Sequence, residues 1–404
     1  RDVYNTPLLR RLLVQSVKNQ GADTVRIETN VKSALLKASI VVNGFRYTRD
    51  RVEITAGKQV IQVDQHTDEH VQRLYPGKLE IQPNAYGTYT LVNHVPLEAY
   101  LRGVVPHEIG LAAPPATIEA QAILARTYAL RNLRRFAIDD YELCADTQCQ
   151  VYWGLKGAHP KTDRAIAATR GLVLTFRNEL VDALYSSTTG GVTASFTDVW
   201  NGSPRPYLRA VVDAVNPVWD LANRPLSNEQ NFRAFIKLRQ GFNEVGWHNF
   251  RWQATGYLPD VNAFLKRYLQ SIGSPHANFT TIRQLRVTER AASGRVQRIT
   301  VTTDRSSFDL HKDNILNALY EPNSLLFHVD PLYGADKTLR GFVFTGGGLG
   351  HGVGLSQTGS YRLGELGWSS DRILSFYFPG TQLQPINPTI VFWRDPFSTP
   401  ELTP

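Results

Sequence analysis

The chain is 404 residues long, with 42% hydrophobic and 10% aromatic residues and a formal net charge of +8. That size and apolar content support a large buried core and two or three folded domains, and exclude a disordered chain. The modest excess of 44 Lys and Arg over 36 Asp and Glu suits an anionic polymer as partner. A nucleic-acid partner is not expected, because there is no zinc-finger spacing, RNP-type aromatic box or basic helix.

In chain order, Leu8–Val17 reads as a short helix. Strand-like segments follow at Ser39–Val42, Val52–Ile54, Gln59–Val63, Lys78–Ile81 and Tyr86–Val92. Asn43-Gly44, Ala56-Gly57 and Pro76-Gly77 punctuate them as turns. Residues 1–90 are therefore expected to form a β-rich N-terminal region. No apolar run reaches the length of a membrane span. The chain holds no methionine, so a signal peptide or N-terminal anchor is expected to have been removed ahead of Arg1.

The next stretch, Val95–Tyr128, carries the densest chemical signal. Pro96 suits a helix start, and Leu97, Leu101 and Val104 or Val105 recur at helical spacing, with Glu98 and Arg102 as an i,i+4 pair. Pro106 is expected to end that helix, leaving His107, Glu108 and Ile109 on a connection before Gly110. A second helix starts near Pro114-Pro115, with Ile118, Ala122, Ala125, Ala129 and Leu133 as its buried stripe and Arg126 beside them. A guanidinium on that face must meet a carboxylate or carbonyls. Two readings stand for Glu108: a general acid/base, or a loop carboxylate that caps the second helix or pairs with Arg126. Arg126 likewise reads as a site residue or as the partner of Glu119. His107-Glu108 is not a metalloprotease motif, since Leu111 stands where the second His would be.

Farther on, Cys144 and Cys149 are the only cysteines. Leu180–Leu184 reads as a short buried strand. It leads into Tyr185-Ser186-Ser187-Thr188-Thr189-Gly190-Gly191, whose hydroxyls and paired glycines either bind a sugar or make an ordinary turn. No Gly-x-Ser-x-Gly elbow is present, so a serine hydrolase is not expected. Trp153, Trp200 and Tyr207 are candidates for stacking on sugar faces, each with core or plain surface as the alternative. Phe232–Leu238 and Leu258–Ile272 read as helices, and Thr281–Val287, Val296–Thr302 and Ser307–Asp309 as strands. Gly346–Gln357 places glycine at nearly every second position around His351. It fits neither nucleotide-binding glycine pattern. Read as a strand, it puts His351, Val353 and Leu355 on one face and Gly352, Gly354 and Ser356 on the other. Thr358–Leu366 reads as a helix closed by Gly367, and Ile390–Trp393 as an edge strand in a proline-rich tail.

VPLEAYLRGVVPHEIG with EAQAILARTYAL resembles the signature of the stage II sporulation protein D family (SpoIID, with its LytB-type relatives). CQVYWG at Cys149–Gly154, YSSTTGGVT at Tyr185–Thr193, GGGLGHGVGLSQTGSYRLGELGW at Gly346–Trp368 and ILSFYFPGTQL at Ile373–Leu383 match in the same order. The resemblance runs from about Tyr75 to Leu383. It implies a peptidoglycan lytic transglycosylase that cuts the MurNAc–GlcNAc bond of peptide-stripped strands. Some relatives are amidase enhancers, which keeps a non-catalytic glycan-binding role open.

On this resemblance the essential glutamate falls on Glu108 and the helix arginine on Arg126. Gln150, Tyr152, Tyr185, Ser186, Ser187, Gly190, Gly191, His351, Ser356 and Gln357 become candidate substrate-binding residues. No cofactor is implied, apart from zinc, which some relatives carry at the equivalent cysteine pair. Here the pair is open to three readings: a disulfide, two free thiols or an incomplete zinc site, with Gln148 preceding Cys149. The expected partners are peptidoglycan glycan strands and a cell-wall amidase, in an extracytoplasmic setting. The expected fold class is α+β: a mixed SpoIID-like catalytic core at 91–206 and 340–385, with the β-rich region 1–90, an α/β insertion at 207–339 and a tail at 386–404.

Overall fold

The computed structural model describes residues 38–393, apart from 43–44, 50, 58–59, 67–69 and 85–88. The expected helix at Leu8–Val17, the Asn43-Gly44 turn and the last eleven residues, 394–404, lie outside the described residues. The contacts divide the chain into two compact units. One takes the chain up to Leu111, Gln121–Leu172 and the residues from Pro388; the other takes Ala112–Ala120 and Val173–Asn387.

The first unit opens with small antiparallel sheets. Strands β1 (Ala38–Val42) and β2 (Phe45–Arg49) pair as a hairpin. Strand β3 (Val52–Thr55) comes next, followed by a second hairpin of β4 (Ile61–His66) and β5 (His70–Tyr75). Strands β6 (Lys78–Pro83) and β7 (Tyr89–His94) join β3 in a three-stranded sheet with β6 central. β5 carries His70, Gln72 and Arg73, so it has no apolar alternation by which a strand is recognised.

Helix α1 (Leu97–Ile109) corrects one expectation. Pro106 does not end it; the helix continues through His107 and Glu108 to Ile109 and stops at Gly110, whose φ is +74°. A proline inside a helix removes one backbone hydrogen bond and crowds the turn before it. Burial on both sides of the proline opposes that cost, because Val104, Val105, Pro106 and Ile109 are all buried. Helix α2 (Pro115–Arg131) starts on proline as expected. It is buried on every face from Ala120 to Ala129, not along one stripe, and ends before Leu133, which is exposed. Helix α3 (Pro160–Ala168) packs on α1, where Asp163 takes both Nε and Nη2 of Arg102 at 2.9 and 3.0 Å. The expected Glu98–Arg102 pair is therefore not made.

Strands β8 (Leu172–Phe176) and β9 (Glu179–Leu180) lead into the main span of the second unit, from Val173. The expected strand at Leu180–Leu184 breaks up after Leu180, where Asp182 turns aside to accept from Arg205 Nε and Tyr207 Oη. Strand β10 (Tyr185–Ser186) and the short helices α4 (Phe196–Val199) and α5 (Glu229–Lys237) follow. Strand β11 (Trp252–Tyr257), helix α6 (Leu258–Ser271) and the antiparallel sheet β12 (Ile282–Arg290), β13 (Val296–Thr303), β14 (Ser307–His311) come next. After helix α7 (Asp313–Ala318), strands β15 (Phe327–Tyr333) and β16 (Leu339–Gly346) complete a sheet in the order β11-β16-β15. A boundary at residue 340 thus falls inside the β15–β16 hairpin. Strand β17 (Leu355–Ser356) runs parallel to β10, and helices α8 (Gln357–Glu365) and α9 (Ser370–Tyr377) lead to β18 (Gln382–Pro385) beside β8. Ile390–Trp393 is not an edge strand; Val391 alone makes a β-bridge.

Two apolar clusters hold this unit. One joins α6 to the β11-β16-β15 and β12-β13-β14 sheets through Leu265, Ile299, Val301, Phe327, Phe342 and Phe344. The other packs Phe232, Phe235, Phe242 and Phe250 around Val192 and Leu326. Each such side chain contributes about 1.5–3 kcal/mol when fully buried. The sum of elements is a mixed α+β fold.

Candidate active site

Glu108 lies in the last turn of α1, half-buried, and its Oε1 accepts the Val151 N–H at 2.7 Å. The loop that supplies Val151 is laid tightly across α1. Tyr152 and Gly154 press on Gly103, where any Cβ would meet the Tyr152 ring at 2.6 Å. Glycine inside a helix costs about 1 kcal/mol relative to alanine, and here it is required for that close approach. Leu155 N donates to Leu74 O at 2.6 Å, which ties the other end of the loop to β5.

Around Glu108 the surroundings are phenolic and apolar. Burial pushes the Tyr100 hydroxyl well up from its usual range and raises that of Tyr128, and the charge of Glu108 adds to both. Gln150 Nε2 donates to Tyr100 Oη at 3.2 Å and to Ala125 O at 3.3 Å, so it bridges α1 and α2. At 1% exposure it is not a surface group, and its amide nitrogen is turned inward. Tyr152 Oη donates to Asn93 Oδ1 at 2.5 Å. With Tyr75, Tyr100, Tyr141, Asn93 and His94, Tyr152 lines a cleft of about 590 Å³ in this unit.

Arg126 has neither of its expected partners. It is completely buried, Nε and Nη2 each donate to Glu98 at 2.8 Å, and Nη1 and Nη2 reach Leu172 O and Ile166 O at 3.1 and 3.4 Å. Glu119 instead accepts from Ser370 Oγ at 3.0 Å. Cys144 and Cys149 are joined as a disulfide. Among the described residues no group of three or more His, Cys, Asp and Glu is placed to hold a metal ion.

The second unit holds the hydroxyl- and glycine-rich residues, and it is organised around a glutamate that the sequence reading did not single out. Glu244 is fully buried. Its Oε1 accepts from Thr189 N, Thr189 Oγ1 and Ser356 Oγ, and its Oε2 from Gly191 N at 2.7 Å. One carboxylate therefore joins the Thr188–Gly191 loop to β17. Asp213 lies next to it. Its Oδ1 accepts Asn243 Nδ2 and Tyr377 Oη, both at 2.8 Å. Burial, with the charge of Glu244 second, pushes the Asp213 carboxyl well above the usual carboxylate range. Its other oxygen faces no donor among the described residues, so the neutral acid, with a proton on that oxygen, is the form that fits.

Two buried arginines close the lattice from the other side. Arg251 Nη1 donates to Gly190 O at 2.8 Å, and Arg295 Nη2 to Thr189 O at 2.8 Å. Burial lowers their pKa values to about 9 and about 10, and Glu244 acts in the opposite direction on each. No local pattern marks these four residues; they come from separated loops and strand ends.

The glycines prove to be packing devices. Gly190 and Gly191 have φ of +75° and +84°. A Cβ would strike the Gly347 carbonyl carbon at 2.6 Å in one case and the Phe242 ring at 2.8 Å in the other. Protein already fills the space that a side chain would take at either position. Gly346–Gln357 is likewise not an alternating strand. Gly348, Gly350, Gly352 and Gly354 all have positive φ, between +73° and +90°, so every second residue turns the chain in a way that glycine alone adopts cheaply.

Ser186 and Ser356 are buried, whereas Tyr185, Ser187, His351 and Gln357 keep partial exposure. His351 Nδ1 accepts the Val353 N–H at 3.0 Å and its ring packs against Trp200. Burial lowers its pKa to about 4, so it is neutral at ordinary pH. Glu108, Arg126, Gln150 and Tyr152 thus belong to the first unit, and Tyr185–Gly191 and His351–Gln357 to the second.

Residues 85–176 match the family described as stage II sporulation protein, and residues 194–354 match a domain of unknown function (DUF8618). The chain is 29% identical over 302 residues to the amidase enhancer of Bacillus subtilis (strain 168), covering 70% of this chain and 40% of that protein. It therefore spans less than half of that relative's length. It is 26% identical over 310 residues to stage II sporulation protein D of the same organism, covering 72% and 75% of the two chains. To stage II sporulation protein D of Bacillus amyloliquefaciens it is 24% identical over 326 residues, covering 76% and 80%. The matched segment 85–176 contains Glu108, Val151 and Arg126, and that match and these relatives support a kinship with the stage II sporulation protein D family.

Proposed function

We propose that this protein acts on the bacterial cell wall as a peptidoglycan lytic transglycosylase, with Glu108 as its single acid/base. The match of residues 85–176 to the family model and the names of the relatives support the cell-wall role. The observation that carries the finer reading is the Glu108 carboxyl, seated in the last turn of a helix, oriented by Val151 N–H and set among buried phenols. Such a reaction starts from the protonated acid.

A hydrolytic glycosidase needs two carboxyl groups; a transglycosylase of this class needs one. The Glu108 carboxylic acid gives its proton to the GlcNAc O4 as the MurNAc C1–O4 bond breaks. The carboxylate then takes the proton of the C6 hydroxyl on the same MurNAc, whose O6 bonds to C1 and closes a 1,6-anhydro ring. The nucleophile belongs to the substrate, and Glu108 ends protonated as it began. Arg126 acts as a positioning residue: through Glu98 it holds α1 against α2. The proposed substrate is a peptide-stripped strand, met outside the cytoplasmic membrane; no described helix is long and apolar enough to cross one.

The test is mass spectrometry of purified peptide-free glycan after incubation with wild type and Glu108→Gln. Anhydro ends from wild type alone are expected. Equal product from Glu108→Gln, or hydrolysed reducing ends from wild type, overturns the reading. The relative named amidase enhancer favours a second reading, a non-catalytic partner of an amidase. Strand binding without cleavage, together with faster amide hydrolysis by an added amidase, would establish it.

A further inference from the structure

We propose that Trp153, backed by His107 and flanked by Arg73, is a saccharide-stacking subsite beside Glu108, and that it takes a hexosamine ring bearing a carboxylate. The inference rests on the glycan-acting reading and adds the residues that hold the ring.

Of the three aromatic side chains named as candidates for stacking on sugar faces, two are occupied. Tyr207 is buried and its hydroxyl accepts from Asp182 N and donates to Asp182 Oδ2. Trp200 lies between Phe196 and His351, with ring centroids 5.4 and 5.0 Å away. Trp153 is 40% exposed.

Its indole is nonetheless held. The His107 ring lies 4.8 Å from it at 47°, and His107 Nε2 is fixed by Lys156 O at 2.5 Å. Gly157, at φ +86°, leaves room for that imidazole, since a Cβ there would fall 2.8 Å from Cε1. The backbone on both sides of Trp153 is pinned as well: Val151 N–H to Glu108 and Leu155 N–H to Leu74. His107 and Glu108 are consecutive, so one helix turn and one loop carry both the platform and the acid.

An aromatic already ordered and already exposed loses little rotamer freedom on binding. It presents an apolar face to the C–H side of a pyranose while the ring hydroxyls stay in water. The Arg73 guanidinium carbon lies 5.8 Å from the indole centroid. Its Nε is buried without a hydrogen-bond partner among the described residues, and no carboxylate pairs with Arg73 there. A cation over the indole, offset 5.8 Å from its centroid, suits a ring that carries a carboxylate, such as the lactyl group of muramic acid.

Calorimetric titration in the Glu108→Gln background, where nothing is cleaved, tests this. The probes are a peptide-free glycan tetrasaccharide with free lactyl carboxylates and neutral chitotetraose. Trp153→Ala should weaken glycan binding by about tenfold or more, and Trp153→Phe by no more than about threefold, in keeping with a stacking contact of about 1.4 kcal/mol or above. Arg73→Gln should erase the preference for glycan over chitotetraose and leave chitotetraose binding as it was. Equal binding by Trp153→Ala and its parent, with unchanged circular dichroism, overturns the platform and leaves the enzymatic reading intact. No binding by the parent also overturns the platform; anhydro ends from the unmutated protein then decide whether the enzymatic reading falls with it.

Discussion

Arg126 and Glu98 form a two-pronged ion pair, Nε to Oε1 and Nη2 to Oε2, both at 2.8 Å. The pair ties the buried middle of α2 to the first turn of α1. Glu108 stands ten residues after Glu98 on the same helix, about three turns along. Anything that loosens the pair therefore tilts the element that carries the candidate acid.

Removing one partner of a buried pair leaves the other charge uncompensated. Arg126→Met should destabilise the protein by about 3–5 kcal/mol, read from urea unfolding, and Arg126→Lys by less. Product formation per folded molecule should fall in step. An Arg126→Met protein that unfolds like the parent yet forms no product would give Arg126 a direct part in the chemistry instead.

Glu244 accepts four hydrogen bonds with both oxygens and has no solvent to fall back on. Glu244→Gln turns an amide N–H toward an existing donor and should cost about 3 kcal/mol or more. Ser356→Ala removes one charge-assisted bond and should cost about 1.5–3 kcal/mol. Hydrogen exchange should show faster opening at Thr189 and Gly191 in both variants; unchanged protection there would refute the role assigned to Glu244.

Asp213 sets a pH dependence whose sign follows from its raised pKa. An acid with a higher pKa folded than unfolded stabilises at low pH, and that contribution is lost as pH rises through the folded value. Asp213→Asn keeps a carbonyl for Asn243 and Tyr377 and offers an N–H toward Glu244. Its melting temperature should change less than that of wild type between about pH 5 and about pH 9. Parallel profiles for the two proteins would show that Asp213 is ionised throughout.

The Cys144–Cys149 bridge closes a short loop in the first unit. Replacing both cysteines by serine should cost about 2 kcal/mol for a loop of that length, seen as a lower urea midpoint. Reductant should lower the wild-type midpoint and leave the double variant unmoved. A wild-type midpoint indifferent to reductant would mean that the bridge contributes nothing.

What the sequence by itself determined was whatever depends on near neighbours. The helices at Glu229–Lys237 and Leu258–Ser271 and the strands β12, β13 and β14 were legible because periodicity and turn residues act over a few positions. The SpoIID resemblance was legible too, because its blocks keep their residues and order. Only the tertiary structure decided how the charges are matched. Glu98 takes Arg126, 28 residues away, while Arg102 takes Asp163, 61 away. Glu108 takes a backbone N–H 43 residues away, and Glu244 reaches Ser356 across 112. Pro106 stays inside a helix that its local rule would end. A buried charge or polar group must be satisfied by whatever packing brings within about 3 Å, and packing is a property of the whole core, not of any short window.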